Sequence, residues 1–498
     1  MHELYRETRA KTRFLESRGH VVIEMWEHEF LEQEKVARPL IYPEFEHHKP
    51  MDVRTAMHGG RCGPLVLYRK AEPDEKIHYV DFTSLYPFCQ THEYPYGHPK
   101  VMTYFEGQNP EDVVRESFGF VKCMVLPPTD LLFPVLPVKV RSKLMFPLCV
   151  PCAENEIREC DHSDLERCHV GTWSTLELHL AQEMGYRIIE IYEVWQYEER
   201  GKDLFRSFVM YCMKDKQEAS GWPDHVTTEE ERQNYLEEYE RKTGIRLDPE
   251  NIAKNSPRRT VAKLVANSLW GKMGEKPHSK ATKFFVKPDE FYNCITNNEN
   301  DVREIYLITD EVVMVQYQKM TEFVQENPKR SIVVAAWTTA WARTLLYREC
   351  RKLDPTQILY TDTDSILYSQ KPGQATLSLG DSLGELTSEL KPGDHITEFV
   401  AVAPKAYAYH TLLGDGACKF KGIRTNYTTQ GVVNLESMLE MVEREDHVVN
   451  VPNPQITRDR KTFELKTVLD SEKIARLRFD KRVRHGHTSV PFGYKSPA

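Results

Sequence analysis

The sequence has no uninterrupted apolar run near the roughly 18 residues that a membrane-spanning helix needs. Its longest candidate, 332–342, is interrupted by Thr338 and Thr339. The opening Met1-His2-Glu3-Leu4-Tyr5-Arg6 lacks the apolar core of a secretory signal. Neither a membrane partner nor secretion is expected. Eleven cysteines, an odd number in a long chain, argue for reduced intracellular thiols and against a disulfide framework. There is no internal repeat, no long low-complexity tract, and no collagen-like or disordered bias. Positive charge is not in excess either: 66 Lys and Arg stand against 75 Asp and Glu, a net charge of −9. That excludes a uniformly basic nucleic-acid coat but leaves room for local basic grooves.

What the chain does have is length. Its 498 residues correspond to about three domains or one large multi-part enzyme, enough to bury a core without disulfides or structural metals. Residues 5–17 carry charges at helical spacing and Gly19 ends the stretch, while Val21-Val22-Ile23 with Met25-Trp26 reads as a strand. A loop rich in Pro and His follows at 39–50. Ile77-His78-Tyr79-Val80 reads as a short strand running into Asp81. The long middle region, 107–250, holds a Pro-rich stretch, a Cys/His cluster and an acidic run at 229–238 that suits an exposed helix face. Ser256 as N-cap with Pro257 at the first helical position opens a helix, and Ser331 caps another. Ile358-Leu359-Tyr360 and Ile366-Leu367-Tyr368 flank 361–365 as a hairpin.

Three segments carry chemistry. In Asp81-Phe82-Thr83-Ser84-Leu85-Tyr86-Pro87, a strand ends in a carboxylate before a tight polar turn. That puts Asp81 at a sheet edge near backbone N–H groups able to hold phosphate oxygens. In the hairpin, Asp362 and Asp364 concentrate negative charge at a turn tip, which is costly unless a hard cation sits there. On the helix after Pro257, Arg259, Lys263 and Asn267 share one face while Val261, Val265 and Leu269 line another. Such a helix can dock on a core through its apolar face and offer positive charge to polyphosphate. Singly, each segment also reads as a solvated turn, a solvated face or a helix cap.

Taken together they resemble the motifs of family B DNA polymerases. Residues 81–87 resemble motif A, Lys263-Leu264-Val265-Ala266-Asn267-Ser268-Leu269-Trp270-Gly271 motif B, and Tyr360-Thr361-Asp362-Thr363-Asp364-Ser365 motif C, all in the family's order. Lys405-Ala406-Tyr407 resembles its Lys-x-Tyr motif and Lys419-Phe420-Lys421-Gly422 its Lys-x-Lys-Gly strand. Met57-His58-Gly59-Gly60 partly resembles the aromatic-x-Gly-Gly motif of protein-primed members, with Met57 replacing the aromatic. Trp270-Gly271 and Gly59-Gly60-Arg61 are most similar to polymerases of Maverick/Polinton transposons and related viruses.

The resemblance implies an α+β right-hand polymerase: an antiparallel-sheet palm, helical fingers and a thumb, without an exonuclease domain. It divides the chain into a remnant at 1–56, palm at 57–106, a terminal-protein-region-like insertion at 107–250, fingers at 251–285, palm again at 286–410, and thumb with C-terminal tail at 411–498. Asp81 and Asp364 would hold two Mg²⁺ ions, with the Phe82 carbonyl as a further ligand and Asp362 as a third catalytic carboxylate. Ser84, Leu85 and Tyr86 would cradle the triphosphate and sugar, Tyr86 acting as a steric gate against a 2′-OH. Lys263, Asn267 and (from helical spacing) Arg259 would contact the nucleotide; Gly59, Gly60, Lys405, Tyr407, Lys419 and Lys421 would contact DNA. Trp270 stands where the family carries Tyr, so an aromatic platform is kept and a hydroxyl is lost. The implied partners are primer-template DNA, deoxynucleoside triphosphates and a terminal-protein primer. The implied setting is replication of a transposon or virus-like element, in the nucleus or wherever that element replicates. Only eighty residues precede Asp81, without an Asp-x-Glu pair, so no 3′→5′ exonuclease is expected from a chain that reads as truncated or as part of a split enzyme. The alternative is a catalytically silent remnant that binds DNA.

Two further features stand outside those motifs. Cys149, Cys152, Cys160, His162 and Cys168 open with a Cys-x2-Cys knuckle, which suits a structural Zn²⁺ or, alternatively, reduced and partly buried thiols. From Arg458 to Arg484, ten Lys/Arg face five Asp/Glu, either a thumb holding duplex phosphates or a solvated basic tail.

Overall fold

The computed structural model describes residues 2–496 except 23, 25, 27–28, 30–48, 224, 277–278, 325–329 and 460–461. It divides into two compact units, 1–51 and 52–498. The first is the helix His2–Ser17 with the chain that folds back beside it. Tyr5 stacks on Trp26 at 5.2 Å and Arg9 pairs with Glu24 at 2.5 Å. The described residues among 21–26 form no strand, contrary to expectation, and Val21 is exposed rather than packed in a sheet. Ile23, Met25 and most of the 39–50 loop lie outside the described residues.

The second unit is organised around a nine-stranded sheet. Its strands are β1 (Cys62–Pro64), β2 (Tyr68–Lys70), β3 (Lys76–Phe82), β4 (Ile358–Asp362), β5 (Ser365–Gln370), β6 (Leu386–Ser388), β7 (Ile396–Ala403), β8 (Ala406–Thr411) and β9 (Gly416–Phe420). The order is β1-β4-β5-β3-β7-β8-β9, with β6 also on β3 and β2 on β7, and every pairing is antiparallel. β3 is therefore an interior strand. Asp81 sits at its end with Ser365 opposite on one side and Thr387 on the other, not at a sheet edge. The alternation of apolar residues in β3–β5 buries Val80, Phe82 and Ile366 on one face and Tyr79, Leu359 and Leu367 on the other.

Four helices matter to the site: α1 (Leu85–Cys89), α2 (Arg206–Glu218), α3 (Ser256–Met273) and α4 (Ile332–Cys350). α4 is buried along most of its length, and Ser331 caps it by accepting from Val334 N at 3.3 Å. The middle region adds a four-stranded sheet of Lys100–Met102, Arg187–Gln196, Gly119–Leu126 and His169–Ser174. Its residues share one hydrophobic core with Val80, Phe82 and Tyr347, so this region packs as part of the same body. The acidic helix Glu229–Thr243 has no buried residue, as an exposed face should. Residues 281–319 form a separate three-stranded sheet and do not extend the central one. The C-terminal stretch contributes two ribbons, Val448–Pro452 with Glu472–Arg476, which buries Val451 and Ala475 in a core with Val400 and Val402, and the exposed Gln455–Arg458 with Leu465–Val468.

The helix start expected at Ser256 falls one residue earlier. Asn255 is the cap, accepting from Arg258 N at 3.0 Å, because its longer side chain reaches the first turn. The apolar face expected to dock on a core is also corrected. Val261, Leu264 and Val265 are exposed, and α3 packs through Ala262 and Ala266. Small side chains let α3 lie close against α2 and α4, which leaves the larger residues outward.

Candidate active site

The β4–β5 turn brings the acidic residues into place. Asp362 pairs in register with Ser365, leaving Thr363 and Asp364 as a two-residue tip, with Asp364 N donating to Asp362 O at 2.7 Å. Thr363 has φ +64, a costly conformation for a β-branched residue. Three contacts hold it there. Thr363 N donates to the Arg61 carbonyl at 2.7 Å, β1 pairs alongside at Cys62–Asp362, and Gly60 packs beneath. A Cβ on Gly60 would come within 2.7 Å of the Thr363 methyl, so only glycine fits. Gly59 meets no such crowding; its carbonyl and that of His58 accept from Arg343 on α4, at 3.0 and 2.6 Å.

Asp364 is bound to the end of β3 by the hydrogen bond from Phe82 N to its carbonyl, 2.8 Å. Tyr79, Asp81, Asp362, Asp364, Ser365, Lys405, Tyr407 and Lys419 line one open cleft. Burial and the neighbouring Asp364 push the Asp81 carboxyl up to about 7, against the pull of Lys263 and Lys419. Burial and Asp362 raise Asp364 too. Asp81, raised by burial and by Asp364, and Asp364, raised by burial and by Asp362, form a half-buried concentration of negative charge that a cation would relieve. Their oxygen chemistry and sparse protein coordination fit a hard divalent ion that keeps ligand positions for phosphate.

Asp362 is held differently. Lys405 Nζ reaches its Oδ1 at 2.6 Å, while Lys405 N donates to the Tyr360 hydroxyl at 2.8 Å. Lys405 itself has φ +63 in the Pro404–Lys405 turn between β7 and β8, so its aim is fixed by the backbone. Tyr407 bonds Tyr79 hydroxyl to hydroxyl at 3.0 Å, and Lys419 Nζ lies 5.6 Å above the Tyr407 ring. Lys421 falls beyond the end of β9, exposed, and does not line the cleft.

The turn after Asp81 departs in part from expectation. The N–H groups of Phe82 and Thr83 are spent on Asp364 O and Glu385 O (2.8 Å each), so they do not await phosphate. Leu85 is buried in the core, which leaves only its backbone for a ligand. Tyr86 stacks on Trp270 of α3 with ring centres 4.6 Å apart. Asn267 caps back onto the Lys263 carbonyl at 3.0 Å, and Arg259 Nε donates to Ser220 Oγ at 3.1 Å.

Two residues of the site carry no signature in the sequence. Lys216 on α2 donates to Ser84 Oγ at 3.1 Å, and burial together with Arg259 and Lys263 lowers its ammonium to about 8. Arg343 forms a buried pair with Glu177 through Nε at 2.8 Å while its Nη1 donates to the His58 and Gly59 carbonyls. Apart from the cleft, the Cys149, Cys152 and Cys160 sulfurs converge on His162. Cys168 does not join them. Its Sγ bonds the Asp164 carbonyl at 3.3 Å, because the short helix Asp164–Arg167 carries it away.

The profile of the family described as DNA polymerase type B, organellar and viral, matches residues 23–228 and 230–354. The chain belongs to this family. A DNA polymerase of Kluyveromyces lactis is 25% identical over 214 residues, 39% of this chain and 20% of the relative. Phi29 DNA polymerase, solved with primer-template DNA and incoming nucleotide substrates, superposes at a TM-score of 0.50 with 14% identity over 89% of this chain and 66% of its own. Its post-translocation binary complex with primer-template DNA gives 0.50 with 15% identity. The chain thus spans a fifth of the Kluyveromyces relative and just under two thirds of the Phi29 chain. The family match includes Asp81, Lys263 and Asn267 and stops at 354. The Asp362–Asp364 hairpin lies beyond it, so its place in the site rests on the strand pairing described above.

Proposed function

We propose that the chain is a DNA-directed DNA polymerase of the protein-primed type, adding deoxynucleotides to a primer 3′-OH opposite a template. The observation that carries this reading is the cleft. Asp81 at the end of β3 and Asp364 in the β4–β5 turn beside it line one open cleft, with Lys263 and Lys419 in electrostatic reach. In this reading the central sheet is the palm, α2 and α3 are fingers, and the basic ribbons belong to a thumb.

Asp81, Asp364 and the Phe82 carbonyl would hold a pair of Mg²⁺ ions, whose chemistry when bound is to acidify the primer hydroxyl and offset charge on the departing pyrophosphate. The chain's own residues do the positioning. Tyr86, pinned by Trp270, fixes the floor beneath the sugar and leaves no room for a 2′-OH. Lys263, Arg259 and Lys216 surround the Ser84 turn with positive charge, where triphosphate oxygens accumulate charge during transfer. Asn267 stands one helical turn from Lys263, beside the nucleotide. Lys405 before β8, Tyr407 on it, Lys419 on β9 and Lys421 just past its end mark the path where the primer strand would run. Gly60 serves the site from below, by letting the turn pack closely, and Gly59 through its carbonyl, which accepts from Arg343. Primer-template DNA and deoxynucleoside triphosphates are the inferred partners, in keeping with the primer-template DNA and incoming nucleotide substrates of the Phi29 complex, and a protein hydroxyl is the inferred first primer.

The test is Mg²⁺-dependent extension of a primed template by the wild type and by Asp81→Ala. Extension by the wild type that falls at least about 10³-fold in the variant is expected; equal extension by both would overturn the reading.

A further inference from the structure

We propose that Cys149, Cys152, Cys160 and His162 bind one structural zinc ion that fastens the C-terminal strands to the middle region. The four ligand atoms all lie within 4.8 Å of one another. The three sulfurs stand 3.5, 3.3 and 3.8 Å from the same atom, His162 Nδ1. A tetrahedral ion with Zn–S near 2.3 Å and Zn–N near 2.0 Å requires S···N separations of about 3.5 Å. Hydrogen bonding does not account for this arrangement, since one ring nitrogen has a single in-plane donor or acceptor position and cannot serve three thiols at once. Three sulfurs and an imidazole select a soft d¹⁰ ion over Mg²⁺. With four protein ligands the coordination is complete, as in structural sites and unlike catalytic ones, which keep a position open.

The surroundings give the ion its task. Cys149 and Cys152 are buried in a small core with Val140 and Met145 and with Val483 and Phe492, the last two more than 300 positions away. Leu148 N and Cys149 N both donate to the Phe492 carbonyl, at 2.7 and 3.2 Å. Gly493, at φ +88, comes so near that a Cβ there would lie 2.5 Å from the Cys149 Cβ. The chain that returns from the basic ribbons is thus seated directly on a ligand. A core this small gains little from apolar burial alone, and a metal crosslink supplies the missing rigidity.

The experiment is elemental analysis of the full chain, followed by cobalt exchange and limited proteolysis. About one zinc per chain is expected, with the visible bands of tetrahedral thiolate-bound Co²⁺ after exchange. Cys152→Ser should lose the metal. Cys168→Ser, eight residues beyond Cys160 but outside the cluster, should keep it, and His162→Cys should keep it as a four-sulfur site. Stripping the zinc should increase cleavage at 483–496 more than elsewhere. Wild-type protein with under a tenth of a zinc and no cobalt bands would overturn the site, as would equal zinc loss in the Cys152 and Cys168 variants. An unchanged cleavage pattern after stripping would overturn the fastening role.

Discussion

In the cleft, half-buried carboxylates from the end of β3 and from the β4–β5 turn share an open space with Lys405 and Lys419, and their proton affinities rise through burial first and neighbouring carboxylates second. In the Cys/His tetrad, three sulfurs and one ring nitrogen close on a single point against a core, with no side left for a substrate. Both groups are electron-rich and both come from residues whose spacing is visible in the sequence. They differ in hardness and in closure, and those two properties separate a site that turns substrate over from one that holds chain segments together. The cleft depends on being incomplete; the tetrad depends on being finished.

The largest effect should come from Asp364→Asn. Primer extension is expected to fall by about 10⁴-fold, near 5.5 kcal/mol, while DNA binding in a filter or anisotropy assay changes less than twofold and zinc content not at all. The converse change, Cys152→Ser, should cost folding stability and zinc while the molecules that remain folded still extend primers. If both variants lost the same properties, the contrast between the two regions would collapse.

Next in size is the support under the turn. Arg343 and Glu177 are each about 3% exposed, so Arg343→Met leaves a buried carboxylate without its partner. A loss of about 3 to 5 kcal/mol in denaturant unfolding is expected. The double variant Arg343→Met, Glu177→Leu should recover part of it.

These residues mark where sequence reading stops. Asp81, Lys263, Asp362 and Asp364 sit in short local patterns, and so do the strand and hairpin that carry them; what they need is written within a few neighbours. Arg343 and Lys216 act across 285 and 132 positions, on Gly59 and His58 and on Ser84, and no local pattern encodes such a meeting. The facing of α3 went unread for a related reason. Val261, Val265 and Leu269 have the right period for a core, yet Ala262 and Ala266 are the residues that this helix buries. Cys168 is counted with the tetrad by spacing alone and removed by a single turn of helix.

A smaller effect concerns Lys216. Its ammonium loses a proton near pH 8 instead of near 10.5, and only the charged form attracts triphosphate. The kcat/KM for deoxynucleotide should therefore decline as pH rises through about 8 and level off at the value of Lys216→Met, itself about 10- to 100-fold below wild type at pH 7. A parallel decline in the variant would assign the pH dependence to another group.

The smallest is a gain. Asp81 ionises near 7 in the fold and near 3.8 when unfolded, so its buried charge disfavours the metal-free fold above pH 7. Asp81→Asn should raise the melting temperature in magnesium-free buffer at pH 8 by on the order of 1–2 °C, a gain that shrinks as pH falls from 7 toward 4. The zinc tetrad should show no such reversal.

The most direct measurement is a count of Mn²⁺ bound to the complex with a 3′-deoxy-terminated primer-template and matched nucleotide, read by electron paramagnetic resonance. Two ions in the wild type and fewer than one in Asp364→Asn are what joint coordination by Asp81 and Asp364 requires. Two ions retained in the variant would contradict it.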